Sequence, residues 1–186
     1  VILTNSDGKI FTGEFQADEI TFEENGAQQT TVLMQGALGN RADQSTFFRC
    51  GMRWHFQRHS PLARVRITLG NDRAASVFSE MKSAVLRFQL PGDSGQVQLG
   101  GLGKFRSAPN RDIKILQHFD TEFQAHTPAG EKSGVRFPGW LEWSNGSQHV
   151  ALAVRHFWQL YPKALSVRGD VFEVGLAPAV DTEQYQ

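Results

Sequence analysis

Apolar residues recur at every second position along almost the whole chain. A period of two suits strands half buried in a sheet, not the 3.6-residue turn of a helix. The clearest run places Phe48, Cys50, Met52, Trp54 and Phe56 on one parity and Arg49, Arg53, His55 and Gln57 on the other. Arg58-His59-Ser60-Pro61 then stops the strand, because proline has no N–H to give a ladder. Alternation resumes with Ala63, Val65, Ile67 and Leu69 set against Leu62, Arg64, Arg66 and Thr68, so the two segments are expected to pair as a hairpin. Upstream, Asp18 to Glu24 and Thr30 to Leu38 form another expected pair, joined by Glu24-Asn25-Gly26, a turn sequence that supplies positive φ at little cost.

Further strands are expected over Ser76 to Leu90, Gln96 to Leu99, Ile113 to Phe119, Thr121 to Ala125, Trp140 to Trp143, His149 to Trp158, Ala164 to Val167 and Val171 to Leu176. Eighteen glycines and seven prolines punctuate them at short intervals, as sandwiches require. Asn145-Gly146-Ser147 fits both a glycosylation acceptor and a hairpin turn, and the turn between Trp143 and His149 is the favoured reading. Gly100 to Asp112 lacks alternation and is expected to be a loop. No low-complexity tract or fixed repeat divides the chain. The fold class is therefore all-β, an antiparallel β-sandwich with little or no helix, in one domain. At 186 residues, such a domain can bury roughly 70% of its unfolded surface.

Composition excludes several function classes. Nineteen basic residues balance nineteen acidic ones, so no overall field draws nucleic acid or an anionic membrane. No apolar run approaches the roughly 20 residues that cross a bilayer. Cys50 is the single cysteine, which rules out an internal disulfide and a thiolate zinc site. The six histidines, His55, His59, His118, His126, His149 and His156, have no metal-ligand spacing; His55 and His59 would lie about 13 Å apart along a strand. Gly100-Gly101-Leu102-Gly103-Lys104 lacks the earlier glycine and following hydroxyl of a phosphate loop, and no serine sits in a hydrolase elbow. No metal and no cofactor are expected from these residues. The chain begins without a leader sequence and reads as a piece of a longer protein.

The densest chemistry lies near the C-terminal end. Sugars present C–H faces that stack on aromatic rings, and carboxylated sugars call for guanidinium forks. Trp140, Trp143, Arg155, Trp158, Tyr161 and Lys163 combine those side chains. If the strand runs unbroken, alternation puts Val150, Leu152, Val154, His156 and Trp158 on one face and Ala151, Ala153, Arg155 and Phe157 on the other. Both faces then carry apolar residues, and core positions are the favoured reading for Phe157 and Trp158.

This segment resembles the central β-sandwich of the exo-rhamnogalacturonan lyases and YetA-like proteins. Their motif runs Gly-Trp, a polar hairpin, small and apolar residues, then Arg-x-Phe-Trp-Gln-x-Tyr-Pro-Lys, matched here by Gly139, Trp140, Arg155, Phe157, Trp158, Gln159, Tyr161, Pro162 and Lys163. His156 stands where that motif carries an acidic residue. The Glu24-Asn25-Gly26 turn and Ser60-Pro61-Leu62-Ala63-Arg64-Val65-Arg66 extend the likeness toward the N-terminus.

The resemblance implies a galactose-mutarotase-like super-sandwich between a small barrel and a helical toroid, in a secreted or periplasmic lyase that cleaves uronate-containing polysaccharide by β-elimination. It implies an acidic polysaccharide or oligosaccharide partner and contacts with neighbouring domains, which would also bring any divalent cation the reaction uses. Such a lyase neutralises a uronate carboxylate, abstracts the adjacent proton and protonates the leaving oxygen. Arg155, His156 and Tyr161 are of suitable type for catalysis, and Trp140, Trp143, Trp158 and Lys163 for substrate binding. Two alternatives stay open: a non-catalytic carbohydrate-binding sandwich, and a mutarotase-like epimerase.

Overall fold

The computed structural model describes residues 1–13, 19–71, 79–92, 95–107 and 112–179. The chain divides into two compact units, Val1–Lys82 and Ser83–Gln186. Both are built from antiparallel strands.

In the first unit, β1 (Ile2–Asn5) and β2 (Ile10–Thr12) pair with each other, and β2 touches the far end of β4. The broad part of the sheet runs β3 (Ile20–Asn25), β4 (Gln29–Gly39), β5 (Thr46–Gln57) and β6 (Ala63–Gly70), each antiparallel to the next. Both expected hairpins form. The β3–β4 turn closes through the Gly26 N–H donating to the Gln29 carbonyl at 2.9 Å, and Gly26 does not use the positive φ its sequence offers. Positive φ falls instead on His59 in the β5–β6 turn and on Phe48, where β5 carries an extra residue opposite Ala37 and Gly39. That bulge ends the strict alternation at Cys50.

Cross-strand register sorts this sheet into two faces. Val32, Trp54 and Val65 lie in one row, Met34, Met52 and Ile67 in the next, making an apolar face. The opposite face carries Arg49, Arg53, His55, Arg64 and Arg66.

The second unit is a two-sheet sandwich. One sheet runs β12 (Gly130–Gly134), β11 (Glu122–Thr127), β10 (Ile113–Phe119), β15 (Lys163–Arg168), β16 (Val171–Ala177) and β7 (Met81–Gln89), the last starting at the unit boundary. The four-stranded sheet runs β14 (His149–Ala153), β13 (Trp140–Ser144), β8 (Gly95–Leu99) and β9 (Gly103–Ser107). Ile113, Ile115, Leu165, Val167 and Phe172 from the first, and Val97, Leu99, Leu141 and Trp143 from the second, are buried to 1% exposure or less.

The sequence reading does not foresee β1, β2 and β12, and three further elements depart from it. The expected strand from His149 stops at Ala153, and 155–160 is a turn. The expected loop from Gly100 contains β9, whose residues are too polar to show alternation; 108–111 lie outside the described residues. The start of the expected strand at Ser76 also lies outside them, so the described strand is Met81–Gln89. The glycine-rich segment is the β8–β9 hairpin turn, with Gly101 and Gly103 at φ of 78° and 112° and the Leu102 N–H on the Leu99 carbonyl. Asn145-Gly146 likewise turns β13 into β14, the Asn145 Oδ1 accepting from the backbone N–H groups of Ser147 and Gln148.

Candidate functional site

The candidate site is assembled at one end of the second unit, from the inner row of the sandwich outward. Phe123, Gln117 and Lys163 occupy adjacent positions in that row, where β11, β10 and β15 run side by side. Gln117 is fully buried, and its amide is fully engaged. The carbonyls of Phe119, Glu122 and Val135 share the two N–H groups of its Nε2, and its Oε1 accepts the Phe137 N–H at 2.9 Å. One buried amide thus ties the β10–β11 turn to the segment that leads into β13. Phe137 follows into the core, with ring contacts to Phe123 and Phe157 at centroid separations of 5.7 Å.

The chain leaves β14 at Ala153 because the next groups make a corner. The Val154 N–H donates to the Gly139 carbonyl at 2.8 Å, His156 adopts a φ of 56°, and the Leu160 N–H returns to the His156 carbonyl. Phe157, at 1% exposure, anchors the corner in the core. Gly139 is needed there: its φ is 78°, and a Cβ would lie 2.3 Å from the Phe157 Cβ.

This corner carries the predicted residues outward in an order that alternation did not foresee. Arg155 and His156, expected on opposite faces, are both exposed at the turn. Trp158 is half-buried and carries the Arg136 guanidinium 4.2 Å above its ring, an electrostatically favourable stack. Arg136 is held there by donating to the Asp120 carbonyl. Tyr161, 45% exposed, packs against the 37% exposed Phe119 ring at 6.0 Å. The Phe119–Tyr161 and Arg136–Trp158 contacts both meet the β10–β11 turn, where Gln117 takes the Phe119 and Glu122 carbonyls and Arg136 the Asp120 carbonyl.

Trp143 does not belong to this group. Its side chain is fully buried, and the space for its indole comes from Gly95, whose Cβ would sit 2.6 Å from the Trp143 Nε1. It is a core residue, because β13 alternates Leu141 and Trp143 inward. Trp140 takes the other parity and packs half-buried beside Gly100 and Pro138. Lys163 points inward too: its Nζ donates to the carbonyls of Leu176 and Pro162, and burial lowers its pKa below the ordinary lysine range.

Arg136, Phe119 and Gln117 were not picked out from the sequence. Gln117 had a signal, since a lone amide on the Ile113, Ile115 parity must find buried partners. Arg136 and Phe119 had none, because only the turns bring them to Trp158 and Tyr161.

Among the described residues no group of three or more His, Cys, Asp or Glu converges. His126 and His149 pair instead with Glu131 and Glu142. In the first unit an open depression of about 510 Å³ lies beside Val1, Ile10, Asn40 and Arg41, and among the described residues no acid–base pair lines it. Cys50 is buried, and desolvation raises its thiol pKa, so it is not poised as a nucleophile. No protein-family model and no curated protein match the chain.

Proposed function

We propose that the chain is a β-sandwich module of a carbohydrate-active, polysaccharide lyase-like protein. It holds uronate-containing polysaccharide of the rhamnogalacturonan type, supplying scaffold and one wall of the substrate cleft. The observation that carries this reading is the pair of ring contacts at the β10–β11 turn, Tyr161 on Phe119 and Arg136 over Trp158, with Arg155 exposed three residues before Trp158. A sugar ring lies on Tyr161 and Phe119 through its C–H face, and an exposed guanidinium takes the carboxylate.

Lys163 is withdrawn from direct substrate contact, because its ammonium sits on the Leu176 carbonyl. Arg155, His156 and Tyr161 then position substrate, and the elimination is completed by groups from neighbouring domains.

Calorimetric titration with short galacturonate and rhamnogalacturonan oligomers tests the reading. Removing the exposed ring in Tyr161→Ala is expected to weaken binding about 10-fold, the scale of one lost aromatic contact. Affinity unchanged in Tyr161→Ala and Arg155→Ala, or equal for the uncharged methyl-esterified oligomer, would overturn it.

A further inference from the structure

We infer that the arginine face of the first unit is a second binding surface, for an extended acidic polysaccharide lying across β4, β5 and β6. The inference rests on the carbohydrate reading above for the chemistry of the ligand, and on separate residues for the site.

Four guanidiniums share this face. Arg49 and Arg53 stand on β5, Arg64 and Arg66 on β6, and Arg53 lies directly opposite Arg66. Like charges in that relation repel, so the arrangement is unfavourable for the sheet alone. Glu23 answers Arg53 only, in a two-pronged pair at 2.8 to 3.0 Å. Glu24, the other acid on this side of β3, accepts from Gln29. Arg49, Arg64 and Arg66 are exposed and have no ion-pair partner among the described residues. The Arg53 fork also shows the ligand group the face accepts, since it already holds a carboxylate by both prongs.

A second feature is independent of charge. Gly51 lies at the centre of the face, between Arg49 and Arg53, with Gln35 and Thr68 as its exposed neighbours across the sheet. Nothing in the fold requires glycine there. Its φ is not in the left-handed region, and a Cβ would meet only the Leu33 Cδ1 at 4.0 Å. A strand-interior glycine leaves the backbone open to close approach by another molecule. The missing side chain at Gly51 leaves a trough in the side-chain layer, flanked by Arg49 and Arg53 along the strand and by the Gln35 amide and Thr68 hydroxyl across it. His55, hydrogen-bonded to Thr31, is the one ring in the register rows of this face, which offers little stacking for single-stranded nucleic acid, whose bases need aromatic platforms.

The test uses polygalacturonate as probe, in a Tyr161→Ala background that disables the other site, with thermal melts to verify folding of each variant. The expected result is salt-dependent binding that falls at least 10-fold in Arg64→Ser/Arg66→Ser. It should fall comparably in Gly51→Val, which fills the trough without removing charge, and rise several-fold in Glu23→Gln, which frees the Arg53 fork. Binding that is absent in this background, or insensitive to the Arg and Gly51 changes, would overturn the inference while leaving the Tyr161 site standing. So would tighter binding of a single-stranded DNA oligomer, and losing binding only through Arg64 and Arg66 would identify loose counterion attraction rather than a shaped site.

Discussion

The two units use the same two-residue alternation and reach different ends. In the second, both sheets seal their inner faces, and Ile113, Ile115, Val97, Leu141, Trp143 and Leu165 are inaccessible to solvent. In the first, the equally regular apolar face stays partly open. Trp54 is half-buried, Phe56 is 43% exposed and stacks parallel to Trp54, and every residue of β3 is exposed. Alternation states which residues share a face, whereas burial depends on what covers that face. The sealed unit places its exposed functional groups at a turn and the open one on a sheet.

The comparison is broken most directly by removing one tryptophan from each unit. Trp143→Ala should cost about 3–5 kcal/mol in chemical denaturation, because a buried indole leaves a cavity. Trp54→Ala should cost less than half as much, since part of its ring is already in water. Equal losses would mean that the first unit's face is as well covered as the second's core. Next in size, Gln117→Leu should destabilise by about 2 kcal/mol, because it strands the buried carbonyls and the Phe137 N–H that the amide satisfies. It should also slow no chemistry directly, so a loss of oligosaccharide affinity in this variant would show that the Tyr161 site depends on the Gln117 amide.

The smallest effect belongs to the surface of the first unit. Hydrogen bonds from Lys9, then from Ser45, hold the Asp43 carboxyl down at about 2. A depressed carboxyl contributes stability that is present above the unfolded value near 4 and disappears as pH falls through about 2. The Asp43→Asn protein should therefore lose less stability than the wild type between those limits in an acid titration followed by circular dichroism, and parallel curves would remove Asp43 from the account.

Much of this could be read from residues alone. The β5–β6 hairpin, the Asn145-Gly146 turn and the strand from Ile113 to Phe119 all followed from alternation and turn chemistry. The arginine parity was legible as well, because Arg49, Arg53, Arg64 and Arg66 alternate with apolar neighbours. Other features were not. Polar edge strands such as β9 and β12 carry too few apolar residues to show a period. The corner at His156 sits within a run that still looks like a strand, and the anchoring of Phe157 against Phe137 bends it.

Local pattern, by itself, determined the all-β antiparallel class and the pairing partners close in sequence, because strand pleat and turn geometry act over a few residues. Tertiary structure alone decided that Trp143 is core while Trp158 sits under Arg136, and that Lys163 faces inward. The reason is physical: a side chain's role depends on which distant segments pack against it, and alternation assigns a face without naming its neighbours.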